Sequence, residues 1–274
     1  MRLALSEITT ITASFEEDVA AYAAAGFDAI GIWEFKLPAD DEANRALLRE
    51  AGLAVANCVP TVPSVLPLRL PGMEGPADLR ERVDTLCASM RRLAAYEPES
   101  ILVITGPVGE LAGSDPRDAV LGGLREIAAA AQEADVRFGL EPIHPSQHGT
   151  VSFVNSIAEA VSLLDEAGLG EVGIMADTYN LWNETPEALA TVASRVTGLH
   201  VADVPLDPVR TDRVLPGEGG SHSADLVRAL TAAGWDGFLD VEIFSTPDRF
   251  WALPADGAAQ RAHAAASLLA QTVP

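Results

Sequence analysis

Cysteine and lysine are almost absent from this chain of 274 residues. It contains two cysteines, Cys58 and Cys87, which are too few for a disulfide framework or for a metal site made of thiolates. We therefore expect two reduced, buried thiols and a cytoplasmic protein. Of the 18 basic residues only Lys36 is a lysine, so any chemistry that needs an ε-amino group has a single candidate.

Long apolar runs and positive charge are also scarce. No segment approaches the about 18 uninterrupted apolar residues of a membrane helix, and the apolar stretch in MRLALSEITT is too short for the centre of a signal peptide. The 40 acidic and 18 basic residues give a net charge of −22. Such a chain repels phosphate backbones and lacks the basic stripe of nucleic-acid-binding proteins. We therefore expect neither a membrane nor a nucleic acid as partner.

What the sequence does have is a regular alternation of short apolar runs and amphipathic helical segments. The runs lie at 2–6, 28–34, 53–60, 100–107, 137–143, 172–177, 196–203 and 238–244. Helical patterns with apolar residues at three- and four-residue spacing follow them, the last near 255–271. Eight such units of about 34 residues predict an α/β fold, a (β/α)8 TIM barrel in one domain over residues 1–274. The alternative, an open sheet that binds a dinucleotide, needs a glycine-rich turn that LSEITTITAS lacks.

Three long connections are predicted at the carboxyl ends of the strands, at 60–76, 204–221 and 245–257. Long loops at this end of a barrel usually cover or line a pocket. Several of their residues are large and apolar: Leu66, Leu68, Leu70, Phe250 and Trp251. They predict a pocket wall, with Trp251 a candidate for contact with substrate, or a contact between copies of the chain, so that a homo-oligomer is one expectation.

Four side chains of metal-binding type stand at or near the ends of the last four apolar runs. They are Glu141 in RFGLEPIHP, Asp177 in VGIMADTYN, His200 in VTGLHVADV and Glu242 in FLDVEIFS. Because the carboxyl ends of parallel strands meet at one end of a barrel, these side chains are predicted to converge. Three carboxylates and one imidazole suit one divalent ion, with Mn²⁺ as first expectation and Mg²⁺, Co²⁺ or Zn²⁺ as alternatives. The pattern favours a metal-dependent enzyme.

The stretches that carry these residues resemble the xylose-isomerase-like barrels of the sugar phosphate isomerase/epimerase superfamily. They are GLEPIHP, MADTYNLW, LHVADV with DRVLPGEG, and GWDGFLDVEIFS. The resemblance covers essentially the whole chain and implies a small sugar, polyol or hydroxyketone as substrate. It implies that Glu141, Asp177, His200 and Glu242 bind the metal. Glu141 and Glu242 would also act as acid and base through an enediolate.

The resemblance also points to residues that contact substrate. Arg213 matches a position where relatives place a substrate-contacting arginine. Asn180 stands where many relatives carry a histidine; it can bind a hydroxyl but cannot shuttle a proton, and its presence argues against a multi-metal endonuclease site. His144, in the loop after Glu141, is a further candidate. Asp203 is expected near the rim, where it would orient a metal ligand or bind a substrate hydroxyl.

Lys36 lies just beyond the second apolar run, in GIWEFKLP. This position at the catalytic end of the barrel predicts a catalytic ammonium that donates to a substrate oxygen. Trp33 and Glu34 precede it. Since successive strand residues face opposite sides, one of these two is expected to line the pocket.

The sequence therefore favours a divalent-metal-dependent isomerase or epimerase. The alternative is a metal-dependent dehydratase of the inosose or 3-dehydroshikimate type, because the same ion and bases can remove an α-proton and expel a β-hydroxyl. A Schiff-base aldolase that uses Lys36 and a non-catalytic sugar-binding protein are further readings. The intact four-residue set counts against the last, since binding alone needs no bases.

Overall fold

A computed structural model of the protein describes residues 1–70, 73–109, 115–207, 209–210 and 212–273. Eight parallel strands form a closed barrel in which each strand pairs with its neighbours in the chain and the last pairs with the first. The strands are β1 (Arg2–Ser6), β2 (Ala29–Trp33), β3 (Ala54–Val59), β4 (Ser100–Val103), β5 (Phe138–Leu140), β6 (Gly173–Asp177), β7 (Val196–Val201) and β8 (Phe238–Val241). The predicted TIM barrel is confirmed.

Helices alternate with the strands. They are α1 (Phe15–Ala25), α2 (Asp41–Ala51), α3 (Leu79–Leu93), α4 (Pro116–Glu133), α5 (Ile157–Glu166), α6 (Pro186–Thr191), α7 (Ser223–Ala232) and α8 (Ala255–Gln271). Short 3-10 segments directly follow β1 and β2: the β1 turn (Glu7–Thr10) and the β2 turn (Glu34–Lys36). No helix in the described ranges is long and apolar enough to cross a membrane.

The first helix shows how local sequence sets these boundaries. The Ser14 hydroxyl accepts from the Glu17 amide, and the Glu17 carboxylate accepts from the Ser14 amide, so both donors at the helix start are satisfied. The helix ends at Gly26, whose φ of 93° is left-handed and costs glycine no steric strain. Strand β2 begins a few residues after Gly26. The polar residues that follow β2 therefore lie at the carboxyl end of the barrel.

A separate apolar cluster closes this end of the barrel. It contains Trp33, Leu68, Ile143 and Met175, with Trp251 packed partly buried against it. The connection after β3 reaches this cluster by running beside β4, where Leu66 donates its amide to the Thr105 carbonyl at 2.8 Å. The predicted connections at 60–76 and 204–221 include Pro71, Gly72, Pro208 and Thr211, which lie outside the described residues.

Glycines open space inside the barrel below the cluster. A Cβ on Gly31 of β2 would lie 2.4 Å from the Asp240 Oδ2 atom. A Cβ on Gly198 of β7 would lie 2.2 Å from the Asn57 Oδ1 atom. Both distances are far below van der Waals contact, so the two glycines allow polar side chains from β3 and β8 to fill the barrel axis.

Candidate metal centre

The four predicted ligands converge at the carboxyl end of the barrel. Glu141 and Glu242 directly follow β5 and β8, while Asp177 ends β6 and His200 lies within β7. Asp177 and His200 are paired in strand register. Ligand atoms of Glu141, Asp177 and His200 all lie within 4.8 Å of one another. The Glu242 Oε2 atom lies 3.4 Å from the His200 Nδ1 atom.

Arg213 holds two of these carboxylates. One of its terminal nitrogens lies 2.9 Å from the Asp177 Oδ2 atom and 2.8 Å from the Glu242 Oε2 atom. Its guanidinium stacks near the rings of Tyr179 and Phe244, with centroids at 4.7 and 4.8 Å. The arginine is therefore fixed in place, because the aromatic rings restrict its plane and the carboxylates restrict its terminal nitrogen.

Asn180 links the same group from β6. Its Nδ2 donates to the Glu141 Oε1 atom at 3.0 Å and to the Asp177 Oδ2 atom at 2.9 Å. Its Oδ1 accepts from the His144 amide at 3.4 Å. The His144 ring stacks on Trp182, with ring centroids 5.0 Å apart. The structure thus places Asn180 among the candidate ligands and His144 beside it.

Burial dominates the electrostatics of the centre. It raises the pKa of Glu141 well above the usual range, and the charges of Asp177 and Glu242 raise it further, while Arg213 and Asn180 partly offset this. Burial also raises the pKa of Glu242, against the lowering effect of Arg213. Burial lowers the pKa of His200 to about 4. At neutral pH its imidazole is therefore uncharged and keeps a lone pair for a metal ion.

These residues fit a divalent ion. Both ring nitrogens of His200 are buried and have no hydrogen-bond partner in the described structure, which is costly for a polar group. With Glu141, Asp177 and Glu242 ionised and Arg213 charged, the group carries a formal charge of −2. A divalent cation would supply both the missing partner and the missing charge, and carboxylate oxygens with one imidazole are ligands that such ions accept.

Lys36 lies in a different group of charged residues. It forms a short ion pair with Asp18, and its Nζ also donates to the carbonyls of Glu7 at 3.2 Å and Thr10 at 3.0 Å. Its side chain is 5% exposed. These contacts use all three ammonium donors. We call Glu7, Asp18 and Lys36 the lysine cluster.

The surroundings of Lys36 do not favour the predicted catalytic role. The hydrogen-bond partners of its ammonium lie on the β1 turn and α1, and none of them belongs to the candidate metal centre. The reason is the β2 turn, which directs the side chain toward the neighbouring β1 turn. This arrangement therefore supports neither a catalytic Lys36 nor a Schiff-base aldolase.

Asp203 and Trp251 are placed at the edges of the site. Asp203 accepts from the amides of Gly217 at 2.8 Å and Gly219 at 3.3 Å and from the hydroxyl of Ser221 at 2.8 Å, so its carboxylate shapes the connection after β7. The Trp251 indole donates to the Ile8 and Ile243 carbonyls at 2.8 and 3.1 Å. Contact of either side chain with substrate remains a prediction.

Trp33, rather than Glu34, faces the centre. Its indole nitrogen donates to the Ser6 hydroxyl at 2.9 Å, and the Ser6 and Trp33 side chains both lower the pKa of Glu242. Glu34 points the other way and accepts from the Ser89 hydroxyl at 2.7 Å. Ser6 was not among the predicted site residues, although its position at the end of the first apolar run could have suggested it.

Three further residues that support the centre were also missed. Thr9 brackets Glu242: its hydroxyl donates to the Val241 carbonyl at 3.2 Å and accepts from the Ile243 amide at 3.0 Å. Asp240 and Asn57 lie in the barrel interior, where the Asn57 Nδ2 donates to the Asp240 Oδ2 atom at 3.0 Å. Strand alternation was an available signal for Asp240, since it lies two residues before Glu242 and faces the same side. No signal in the sequence points to Thr9.

Comparison with known proteins agrees with this architecture. A family model described as a xylose isomerase-like TIM barrel matches residues 19–269. The D-psicose 3-epimerase of Enterocloster bolteae is 29% identical over 124 residues, which are 44% of this chain and only 38% of that protein. A Streptomyces coelicolor protein named "Putative hydroxypyruvate isomerase" is 27% identical over 248 residues, covering 82% of this chain and 84% of that one.

Solved structures show the same fold at lower identity. The IolI protein with a bound zinc atom superposes with a TM-score of 0.81 and is 18% identical, covering 100% of this chain and 99% of that one. This similarity concerns the whole barrel, including the strands that carry the candidate ligands.

Proposed function

Because the chain belongs to the xylose isomerase-like TIM barrel family, we propose that it is a divalent-metal-dependent isomerase or epimerase of a small sugar or related hydroxyketone. The family match confirms the resemblance found in the sequence. Among the relatives, the two curated proteins are named as an epimerase and an isomerase. Their named substrates are not transferred to this chain.

One observation carries the proposal. Ligand atoms of Glu141, Asp177 and the neutral, unpartnered His200 lie within 4.8 Å of one another at the carboxyl end of the barrel, and the Glu242 Oε2 atom lies 3.4 Å from the His200 Nδ1 atom. A purely structural cluster would be expected to pair its polar atoms internally. This group instead leaves its histidine nitrogens free and retains excess negative charge, as a cation-binding centre requires.

Glu141, Asp177, His200 and Glu242 would hold the ion, which when bound would supply electrophilic stabilisation of an enediolate. Glu141 and Glu242 follow β5 and β8, with two strands between them, so two carboxyl groups reach the pocket from different sides. Burial raises the pKa of both groups, which favours carboxyls that can both take and return a proton.

Arg213 and Asn180 would keep these carboxyls in position. Arg213 orients the Glu242 Oε2 atom, and Asn180 orients the Glu141 Oε1 atom. Each acid therefore has one oxygen held by a neighbour, and its second oxygen would serve the ion or a substrate proton. The Trp33 and Phe244 rings lie 5.6 Å apart beside Glu242 and would exclude water from it.

The test is a substrate panel in D₂O. Ketoses, inososes and hydroxy-keto acids would be incubated with enzyme and each of Mn²⁺, Co²⁺, Mg²⁺ and Zn²⁺, and NMR would follow both the product and the entry of deuterium beside the carbonyl. We expect metal-dependent exchange and an epimer or isomer as product. An ultraviolet absorbance from a conjugated enone would instead identify a dehydratase.

The matched variants are Glu141→Gln and Glu242→Gln. Each is expected to lower turnover at least about a hundredfold, the usual scale for loss of a positioned base. Full activity in either variant would remove that glutamate from the mechanism. Absence of turnover and exchange across the panel, with a chelator making no difference, would contradict the proposed function.

A further inference from the structure

The two ring nitrogens of His200 face different carboxyl groups. Nδ1 lies 3.4 Å from the Glu242 Oε2 atom, within the candidate metal centre. Nε2 lies 3.6 Å from the Asp240 Oδ2 atom, toward the barrel interior. Neither nitrogen has a hydrogen-bond partner in the described structure, and the side chain is 1% exposed. The imidazole therefore lies between the candidate metal centre and the buried polar side chains of Asp240 and Asn57.

Asp240 is well placed to serve this histidine. It is the strand partner of His200 in the β7–β8 register and is fully buried. Asn57 donates to its Oδ2 atom, whereas its Oδ1 atom has no partner within the described residues. The absent side chain of Gly31 leaves the space that the Asp240 carboxyl occupies. A carboxyl group thus lies beneath the ring, with acceptor capacity left over.

We infer that Asp240 is a positioning residue that accepts a hydrogen bond from the Nε2–H of His200 and thereby presents Nδ1 to the metal ion. This inference rests on the metal centre of the proposed function. A neutral imidazole has one donor and one acceptor nitrogen, and its partner decides which is which. Glu242 also offers an acceptor, at 3.4 Å from Nδ1, but it would be engaged by the metal ion. Asp240, whose carboxyl group retains an accepting oxygen in either protonation state, then favours the tautomer with its proton on Nε2.

The remaining gap is small. The 3.6 Å separation exceeds a good N–H···O distance of about 3.2 Å by only a few tenths of an ångström, which a rotation of the ring can close. Metal ligation by Nδ1 would make the Nε2–H a stronger donor. An outer partner of this kind fixes ring orientation and usually changes metal affinity by about 10–100-fold. Asn57 would in turn hold the carboxyl through its own donor.

The direct test is ¹⁵N NMR of histidine-labelled protein loaded with Zn²⁺, a diamagnetic ion. The chain has five histidines, so comparison with His200→Gln assigns the ring of interest. We expect a metal-bound Nδ1 and a protonated Nε2. A ring bound through Nε2 would overturn the inference while leaving the proposed metal centre and function standing. Wild-type protein that binds no Zn²⁺ would contradict both.

Variants supply a second measurement. Zn²⁺ affinity by calorimetry should fall at least about tenfold in Asp240→Ala and less in Asp240→Asn, whose amide oxygen can still accept from Nε2–H. Asp18→Asn, a buried change in the lysine cluster, should bind as wild type does. Unchanged affinity in both Asp240 variants would overturn the role. Circular dichroism shows whether each variant is folded; if neither is, the wild-type NMR result alone decides.

Discussion

Two groups of buried charges lie at the same end of this barrel: within the described ranges, Glu7 of the lysine cluster leaves one carboxylate oxygen without a hydrogen-bond partner, and His200 of the candidate metal centre leaves both ring nitrogens without one. In the lysine cluster the ammonium of Lys36 has three partners, and burial raises the pKa of Glu7 to about 8 and that of Asp18 to about 6. A proton on Glu7 would neutralise this cluster. With all its acids ionised the candidate metal centre carries a formal charge of −2, and a proton on Glu141, whose pKa burial also raises, would still leave −1. Its histidine has no hydrogen-bond partner among the described residues. Charge balance, more than the presence of buried acids, distinguishes a ligand site from a structural one.

Removing the lysine should cause the largest change. Lys36→Met leaves Asp18 buried without its cation, and breaking such a pair costs about 3–5 kcal/mol of folding free energy. Chemical denaturation would measure the loss, and the double variant with Asp18→Asn should recover part of it. Metal affinity of the folded fraction should stay within about twofold of wild type, since Lys36 contacts none of the candidate ligands. A variant of normal stability that has lost turnover would restore a catalytic role for Lys36.

Replacement of an aspartate by asparagine is expected to affect Mn²⁺ affinity in the candidate metal centre but not in the lysine cluster. Asp177→Asn removes a candidate ligand and should weaken Mn²⁺ binding more than about 100-fold, beyond the usual cost of an outer-sphere change. Asp18→Asn is an equally buried change of the same kind and should leave Mn²⁺ affinity unaltered. Titration calorimetry would measure both. Equal affinities in the two variants would show that Asp177 is not a ligand.

The lysine cluster should also make stability depend on pH. Since the pKa of Glu7 rises on folding to about 8, the folded state binds more protons than the unfolded state from about pH 4.3 upward. The contribution of protonated Glu7 to the free energy of unfolding is complete below about pH 4.3 and is lost as the pH rises toward about 8. Glu7→Gln cannot titrate, so its stability should fall less over this window, with a slope that differs by at most about 1.4 kcal/mol per pH unit. If the free energies of unfolding of the wild type and of Glu7→Gln fall in parallel as the pH rises, the pKa of Glu7 is not raised on folding.

The smallest effect is expected at Thr9, which connects the two regions. Thr9→Val removes the hydroxyl that brackets Glu242 and should lower turnover about tenfold, or 1.4 kcal/mol, with little change in KM. Thr9→Ser keeps the hydroxyl and should restore most of the activity. If Thr9→Val and Thr9→Ser have the same turnover, the hydrogen bonds of the Thr9 hydroxyl do not position Glu242.

The barrel and the convergence of the four candidate ligands could be predicted because both depend on strand order. Glu141, Asp177, His200 and Glu242 are up to 101 positions apart in sequence, yet parallel strands bring their carboxyl ends together whatever the loops do. Strand alternation could also have indicated Asp240, which shares a face with Glu242.

The direction of side chains on turns could not be predicted in the same way. Lys36 lies three residues beyond β2, and the conformation of the β2 turn, rather than strand geometry, decides that it meets Asp18. Asp203 similarly serves the connection after β7, because the amides of Gly217 and Gly219 come within reach only in the folded loop. Such contacts depend on backbone conformations that residue type alone leaves open.

The burial of the one lysine has a practical consequence for chemical labelling. Reagents that acylate primary amines have a single side-chain target in this protein, and it is 5% exposed and ion-paired. In the native state they should therefore react with it slowly. Acylation of Lys36 would require the corner formed by the β1 turn, the β2 turn and α1 to open, so its rate measures that local opening without any engineered probe.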